Sequence, residues 1–375
     1  MPIEFIGMIR TSDHSELTSG PTATHEDAID RDYLRRFVRA HEEGNFDRVL
    51  IGYFSTGPDG WGVASFGAAH TERLSFLIAH RPGFVAPTLA ARKAITLDHL
   101  TGGRIALHII TGGSDTEQQK DGDWIGHDER YARTDEYLDI VRRVWTAGEP
   151  FDHEGPFYRV SGAYSDIKPV QQPHPPLYFG GASGSEVPVG AKHADVYAMW
   201  GEPIAQIKER IAEVEAAKPD GRSIRYSVSL RLILGATEQA AWEKAHDYLE
   251  RIVAIRGGNR VATSTRPGAV GSQRLLDAAS EREVWDKRLW TPIAAATGAG
   301  GNTTALVGTP EQVAEALLDY YDAGVSTILV RGFRPLEDTV DYGREVVPLV
   351  RAEVTRRDRD TVIAGERQQV AGAAD

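Results

Sequence analysis

The chain of 375 residues contains no cysteine. That absence excludes disulfides, thiolate metal sites and a cysteine nucleophile together. No run of eighteen apolar residues occurs and the N-terminus is not basic-then-apolar, so a membrane span and a secretory leader are not expected. A cytoplasmic location is the expectation. Basic charge is scarce as well: 42 Lys and Arg stand against 54 Asp and Glu, for a formal net charge of -12. A nucleic-acid or anionic-membrane partner would want a net basic face, so neither is expected. The twelve histidines show no HExxH or comparable spacing, which disfavours a metal site. Residues 10–20, RTSDHSELTSG, follow the first strand-like run and carry no GxGxxG, so a doubly wound nucleotide-binding sheet is the second choice for the fold.

What the chain does have is a rhythm. Strand-like runs at 3–9, 47–53, 74–80, 104–111, 176–181, 195–200, 224–236 and 326–333 are each followed by a helical pattern. Most of these runs are continuously apolar, as parallel strands buried on both faces are. Eight such units predict an α/β fold, a (β/α)8 TIM barrel with insertions, forming one domain over residues 1–355. Residues 147–170, turning at His153, Glu154 and Gly155, read as an inserted hairpin. Residues 256–303 read as a mobile, lid-like insertion whose glycines flank an apolar face of Leu275, Leu276, Trp285 and Trp290. Residues 356–375 read as a flexible tail. The apolar VVPLV near the C-terminus suggests a homodimer or homotetramer.

Function in such a barrel sits at the carboxyl ends of the strands. The stretch PPLYFGGASGSE (175–186) ends a strand in two glycines and opens a helix with serine, leaving backbone N–H groups around one point. Those groups suit a phosphate, although an ordinary strand-to-helix turn with a serine cap explains the local sequence equally well. Arg10, Arg81, Arg231, Arg331 and Arg334 also fall after strands. This basic funnel in an acidic protein points to an anionic ligand.

Several segments together resemble a known family: LIAHRPGFVAPTLAARKAITLDHLTGGRIALHIITGGSD, HDERYARTDEYLDIVRRVW, PLYFGGASGSE, ADVYAMWGEP and TALVGTPEQVAEAL. In order and spacing they are similar to the bacterial-luciferase-like flavin monooxygenases, most closely the alkanesulfonate monooxygenase branch, over residues 3 to 352. The resemblance implies a barrel that takes reduced FMN as a dissociable co-substrate from an NAD(P)H-dependent flavin reductase, reacts it with O2 and oxygenates a small organic substrate. An alkanesulfonate-like anion, cleaved at its C–S bond to sulfite and an aldehyde, is the expected substrate. The resemblance further implies that Gly181, Ala182 and Ser183 hold the FMN phosphate, that Tyr131 closes on it with His127 one turn earlier, and that Thr111 and Gly112 lie under the flavin ring. Arg231, His80, Trp200 and Arg334 are the expected catalytic or substrate-binding residues. Departures accompany this match. The branch's Arg-x-His on strand seven is Ser229 and Arg231 here, its Tyr-x-His on strand eight is Phe333 and Pro335, and the arginine before TALVG is Ala299. Another substrate, a deazaflavin F420-dependent hydride transfer on the same barrel, or a non-catalytic phosphate-binding barrel are the competing readings.

Overall fold

The computed structural model describes residues 2–18, 29–181, 183–258, 269–301 and 303–372, with side chains described as far as residue 359. Thirteen strands occur among them: β1 Glu4–Ile9, β2 Arg48–Ile51, β3 Ser75–His80, β4 Ile105–Ile109, β5 Phe151–Glu154, β6 Arg159–Ala163, β7 Leu177–Gly180, β8 Val196–Trp200, β9 Arg225–Leu234, β10 Val284–Trp285, β11 Leu289–Trp290, β12 Ala305–Gly308 and β13 Val325–Arg331. β1, β2, β3, β4, β7, β8, β9 and β13 pair side by side in parallel, and β13 returns to β1. This closed eight-stranded ring is the (β/α)8 barrel that the alternating pattern predicted.

Closure sorts each strand's residues by parity. Outward residues such as Phe5, Val49, Phe76, Ile78, Leu107, Phe179, Val228, Ile328 and Val330 join the main core beneath the helices. Inward residues Ile6, Leu77, Ala106, Tyr178, Val196 and Leu329 form a separate small cluster inside the ring. The helices present matching stripes. In Arg31–Glu43, Tyr33, Leu34, Phe37, Val38 and His41 are buried at helical spacing, and the Asp30 side chain caps the N-terminus by accepting from the N–H groups of Asp32 and Tyr33. The His41 ring leaves no room at β1: a Cβ on Gly7 would lie 2.1 Å from it, so only glycine fits.

Strand β9 is longer than the barrel requires. Its first half pairs with β8 through Arg225–Ser229, and its last residues pair with β12 through Arg231–Leu234. β12 then carries β11 and β10 antiparallel. Residues 269–301 are thereby tied to the barrel sheet. Leu275 and Trp290 do not offer a free apolar face, in contrast to the expectation for a hinged lid. Leu275 is fully buried with Ala294 and Ala299, while Trp290 packs edge-on to Trp242 and His246. Residues 259–268 of that expected segment, with Arg260, Arg266 and Gly268, lie outside the described residues.

Between β4 and β7, β5 and β6 form a two-stranded antiparallel sheet of their own. At the C-terminus, residues 356–372 of the expected flexible tail continue the helix Val347–Gly372, which is supported in its first half by Glu353 pairing with Arg356 and Arg357 at helical spacing. VVPLV is exposed only in part: Val346, Val347 and Val350 are buried in the main core, while Pro348 and Leu349 are exposed. No helix among the described residues is long and apolar enough to cross a membrane.

Two outcomes follow from this packing. Replacing Trp290 by Ala should remove roughly 3–5 kcal/mol of stability, read as a lower urea midpoint. A loss below about 1 kcal/mol would mean that β11 is not anchored as described. Burial also pulls the pKa values of His41, His80 and His108 down to about 4. Each is neutral in the fold yet takes a proton below about 6.5 when unfolded, so stability present above that pH is lost as pH falls toward 4. Urea titrations at pH 7 and pH 5 should show the decline, with a slope of up to roughly 1.4 kcal/mol per pH unit per histidine. An unchanged midpoint would contradict their burial in the neutral form.

Candidate active site

The carboxyl ends of the barrel strands open into a cavity of about 300 Å³. Its depth is set by small inward residues at strand positions where a larger side chain would fill the ring, namely Gly180, Ala198, Ser227 and Ser229. Ile6, Leu50, Leu77 and Leu329 make the floor apolar. His108 of β4 also faces inward. It is half-buried, and its buried Nδ1 has no hydrogen-bond partner among the described residues.

Above the floor, Thr111 and Gly112 line the wall after β4. Gly112 adopts φ 93°, and a Cβ there would lie 1.5 Å from Gln118 Nε2, so the turn needs glycine. The buried Arg130 secures it by donating to the Gly112 carbonyl at 3.3 Å while pairing with Asp115 at 2.8 Å. Gly181 lines the cavity too, and its carbonyl accepts from Tyr197 Oη at 2.8 Å. Ala182 lies outside the described residues. Tyr131 comes from the helix His127–Thr146, is 4% exposed, and points its hydroxyl into the cavity. Burial first, and then the Glu186 carboxylate, push its pKa far above the ordinary phenol range, so it acts as a donor. The Tyr131 hydroxyl and the Ser183 backbone N–H both donate to Glu186, in the first turn of the helix Glu186–His193. Ser183 Oγ is buried with no partner among the described residues. His127 stands behind, with its ring edge-on to Tyr131 and its Nδ1 3.1 Å from Asp128.

Trp200 ends β8 and lines the cavity. It supports a roof made by Ala269, Val270 and Gly271, since a Cβ on Gly271 would lie 3.2 Å from its ring. Glu202 pins that roof through Arg274, whose Nε and Nη2 reach its carboxylate at 2.9 and 2.6 Å. The pair is the strong, forked type of charge-assisted hydrogen bond.

Three expected residues lie elsewhere. His80 has outward parity on β3, bonds Tyr137 Oη at 2.7 Å and sits edge-on to Trp61, which makes it a core histidine. Arg231 is 1% exposed, donates to Glu16 at 2.5 Å and to the Gly332 carbonyl at 3.3 Å, and lies over the Phe333 ring. Arg334 pairs with Asp338 at 2.8 Å at the start of the helix Pro335–Glu345. Glu16 also binds Arg331 at 2.5 Å and Arg10 at 3.0 Å, so it gathers the arginines that strand ends alone suggested were open to a ligand. Of the basic residues that line the cavity, Arg81 pairs with Glu117 at 3.0 Å and Arg210 with Glu213 at 2.7 Å.

The family model described as luciferase-like monooxygenase matches residues 4–327. Among solved structures, riboflavin lyase RcaE, described with modified FMN and substrate riboflavin, is 20% identical with a TM-score of 0.76, covering 94% of this chain and 92% of its own. EDTA monooxygenase EmoA from Chelativorans sp. BNC1 is 18% identical with a TM-score of 0.75, covering 94% of each chain. An F420-dependent secondary alcohol dehydrogenase is 15% identical with a TM-score of 0.66, covering 93% of this chain and 99% of its own. At these identities the likeness is one of fold.

Because Ser183 Oγ has no partner to lose among the described residues, Ser183→Ala should leave thermal stability unchanged while weakening FMN binding by roughly 1.5–3 kcal/mol. Tyr131→Phe should act in the same direction with a smaller effect. Fluorescence titration with FMN checks both, and unchanged affinity in the two variants would place the phosphate elsewhere.

Proposed function

The chain belongs to the luciferase-like monooxygenase family, and on that premise we propose that it is an FMNH2-dependent monooxygenase that oxygenates a small organic substrate with O2. The observation that carries this reading is one continuous cavity. At one side it is lined by Tyr131, Gly181 and Glu186, whose carboxylate accepts from the Tyr131 hydroxyl and from the adjoining Ser183 N–H, and at the other it has an apolar floor beneath a protein roof. Ser183 Oγ, without a partner among the described residues, and the bare Cα of Gly181 fit a flavin phosphate, provided that Glu186 gives way.

Bound reduced FMN would supply the activation of O2; the protein binds, orients and shields. Tyr131, Gly181 and Ser183 would hold the phosphate, while Thr111 and Gly112 would border the ring. Ile6, Leu50, Leu77 and Leu329 below, with Trp200 and Val270 above, exclude water from the reacting centre. His108, kept neutral at pH 7 by burial, offers an uncharged hydrogen-bonding nitrogen rather than an imidazolium. In this reading FMN is a dissociable co-substrate reduced by a separate NAD(P)H-dependent flavin reductase, and the protein works in the cytoplasm.

On the substrate the geometry argues against the alkanesulfonate expected from the resemblance. Arg231 and Arg334 hold carboxylates, and neither lines the cavity. A sulfonate in an apolar cavity needs a guanidinium to spare, because an unpaired buried charge is costly. The cavity's Arg81 and Arg210 are offset by acidic partners, so an uncharged substrate with a short apolar body fits better.

The test is single turnover with ¹⁸O2. Protein loaded with chemically reduced FMN, mixed with labelled O2 and a panel of small uncharged and sulfonated compounds, should place one labelled oxygen in an uncharged product. Complete release of the label as hydrogen peroxide with every compound would contradict oxygenation. Hydride transfer to or from F420, with no such oxygen incorporation, would favour the deazaflavin reading instead.

A further inference from the structure

We propose that Glu186 is a resident competitor for the flavin phosphate: in the free protein its carboxylate occupies the cradle and must leave as the cofactor enters. The inference rests on the flavin reading above and concerns how tightly the site holds its cofactor.

Both carboxylate oxygens are engaged, one by the Tyr131 hydroxyl and the other by the Ser183 backbone N–H. These are two of the donors that would hold a phosphate. The fit is close, since a Cβ on Gly181 would lie 2.2 Å from the Glu186 carboxyl carbon. The carboxylate therefore packs over the bare Cα that would admit a phosphate. Ser183 Oγ remains buried beside it without a partner among the described residues, a donor that a two-oxygen carboxylate does not use and a phosphate with more oxygens could.

Sequence and position make displacement feasible. Glu186 opens the helix Glu186–His193 and is only partly buried, and among the described residues no Lys or Arg forms an ion pair with it. Its two hydrogen bonds are what hold it. A carboxylate and a phosphate cannot share two donors in a partly desolvated site, because like charges at contact oppose each other strongly there. Each phosphate that binds must break both contacts and return Glu186 to solvent. A protein that takes reduced FMN from another enzyme and hands oxidised FMN back gains from a hold weakened in this way, since release becomes easier. Riboflavin, which lacks the phosphate, has no such contest.

Fluorescence titrations of the full chain with oxidised FMN and with riboflavin, for wild type, Glu186→Gln and Glu186→Ala, test the inference. Gln keeps the shape and removes the charge, and Ala clears the cradle, so a folding defect in one leaves the other. The ratio of FMN to riboflavin affinity should rise about tenfold or more in a folded variant, which is the size expected when one opposing charge is removed. A ratio that rises in neither variant, whether because FMN affinity falls or because both flavins tighten alike, overturns the proposal. If neither flavin binds wild type or variants whose far-ultraviolet spectra show the intact barrel, the flavin reading itself fails and the inference with it.

Discussion

Eight parallel strands closed into a ring share one narrow interior, and the side chains placed there at each level decide what the molecule can hold above it. At the bottom, Glu4 accepts from Tyr178 Oη at 2.8 Å, Arg48 at 3.1 Å, Thr327 at 3.2 Å and Arg225 at 3.3 Å. Burial alone would raise the pKa of that carboxyl, but the two guanidinium groups and the phenol bring it below its usual value. A charged, hydrogen-bonded plug thus closes one end. The apolar layer of Ile6, Leu77, Tyr178 and Leu329 lies above it. Higher still, Gly180, Ala198, Ser227 and Ser229 withdraw bulk from the ring and create the cavity. Chemistry is confined to the carboxyl end because the other end is full.

Charge is managed just as locally at the open end. Arg10, Arg231 and Arg331 converge on the single carboxylate of Glu16 in the loop after β1. Arginine is suited to such sharing because its planar fork can serve an acid and a carbonyl together, as Arg231 does with Glu16 and Gly332. The cluster braces the strand ends where β9 and β13 meet the first loop. It leaves the cavity to Trp200, His108 and the serines of β9. A chain that looked basic at its mouth therefore presents a nearly balanced interior, and the proposal of an uncharged substrate rests on that balance.

The barrel was legible because its signal is long-range and redundant: eight apolar runs, each followed by a helical pattern, tolerate boundary errors of several residues. Thr111, Gly112, Tyr131, Gly181 and Trp200 were legible for a related reason, since they sit at strand ends or in motifs that recur with fixed spacing, and all line the cavity. His80 misled because parity, not proximity to a strand end, decides whether a side chain enters the ring. His108, one alternation away on β4, was missed on the same count. Counting inward positions from Ala106 would have found it. Arg231 has the inward parity but not the freedom, because its partner Glu16 is 215 residues away in sequence. Strand β12 escaped notice because three apolar residues between two threonines and a glycine are too short to read as a strand until β9 supplies a partner. Glu186 stands in the first turn of its helix, where an acid is ordinary. Only the fold shows which donors it has taken.

The central claim is that the cradle after β7 and the hollow of the barrel form one flavin site. Diffraction from crystals of the protein soaked with FMN tests it most directly. The account predicts phosphate density between Tyr131 and Ser183, the flavin ring between Thr111–Gly112 and Trp200, and Glu186 turned away from both donors. Flavin bound outside the barrel mouth, or a ring in the cavity whose phosphate avoids Tyr131 and Ser183 while Glu186 stays in place, would contradict it.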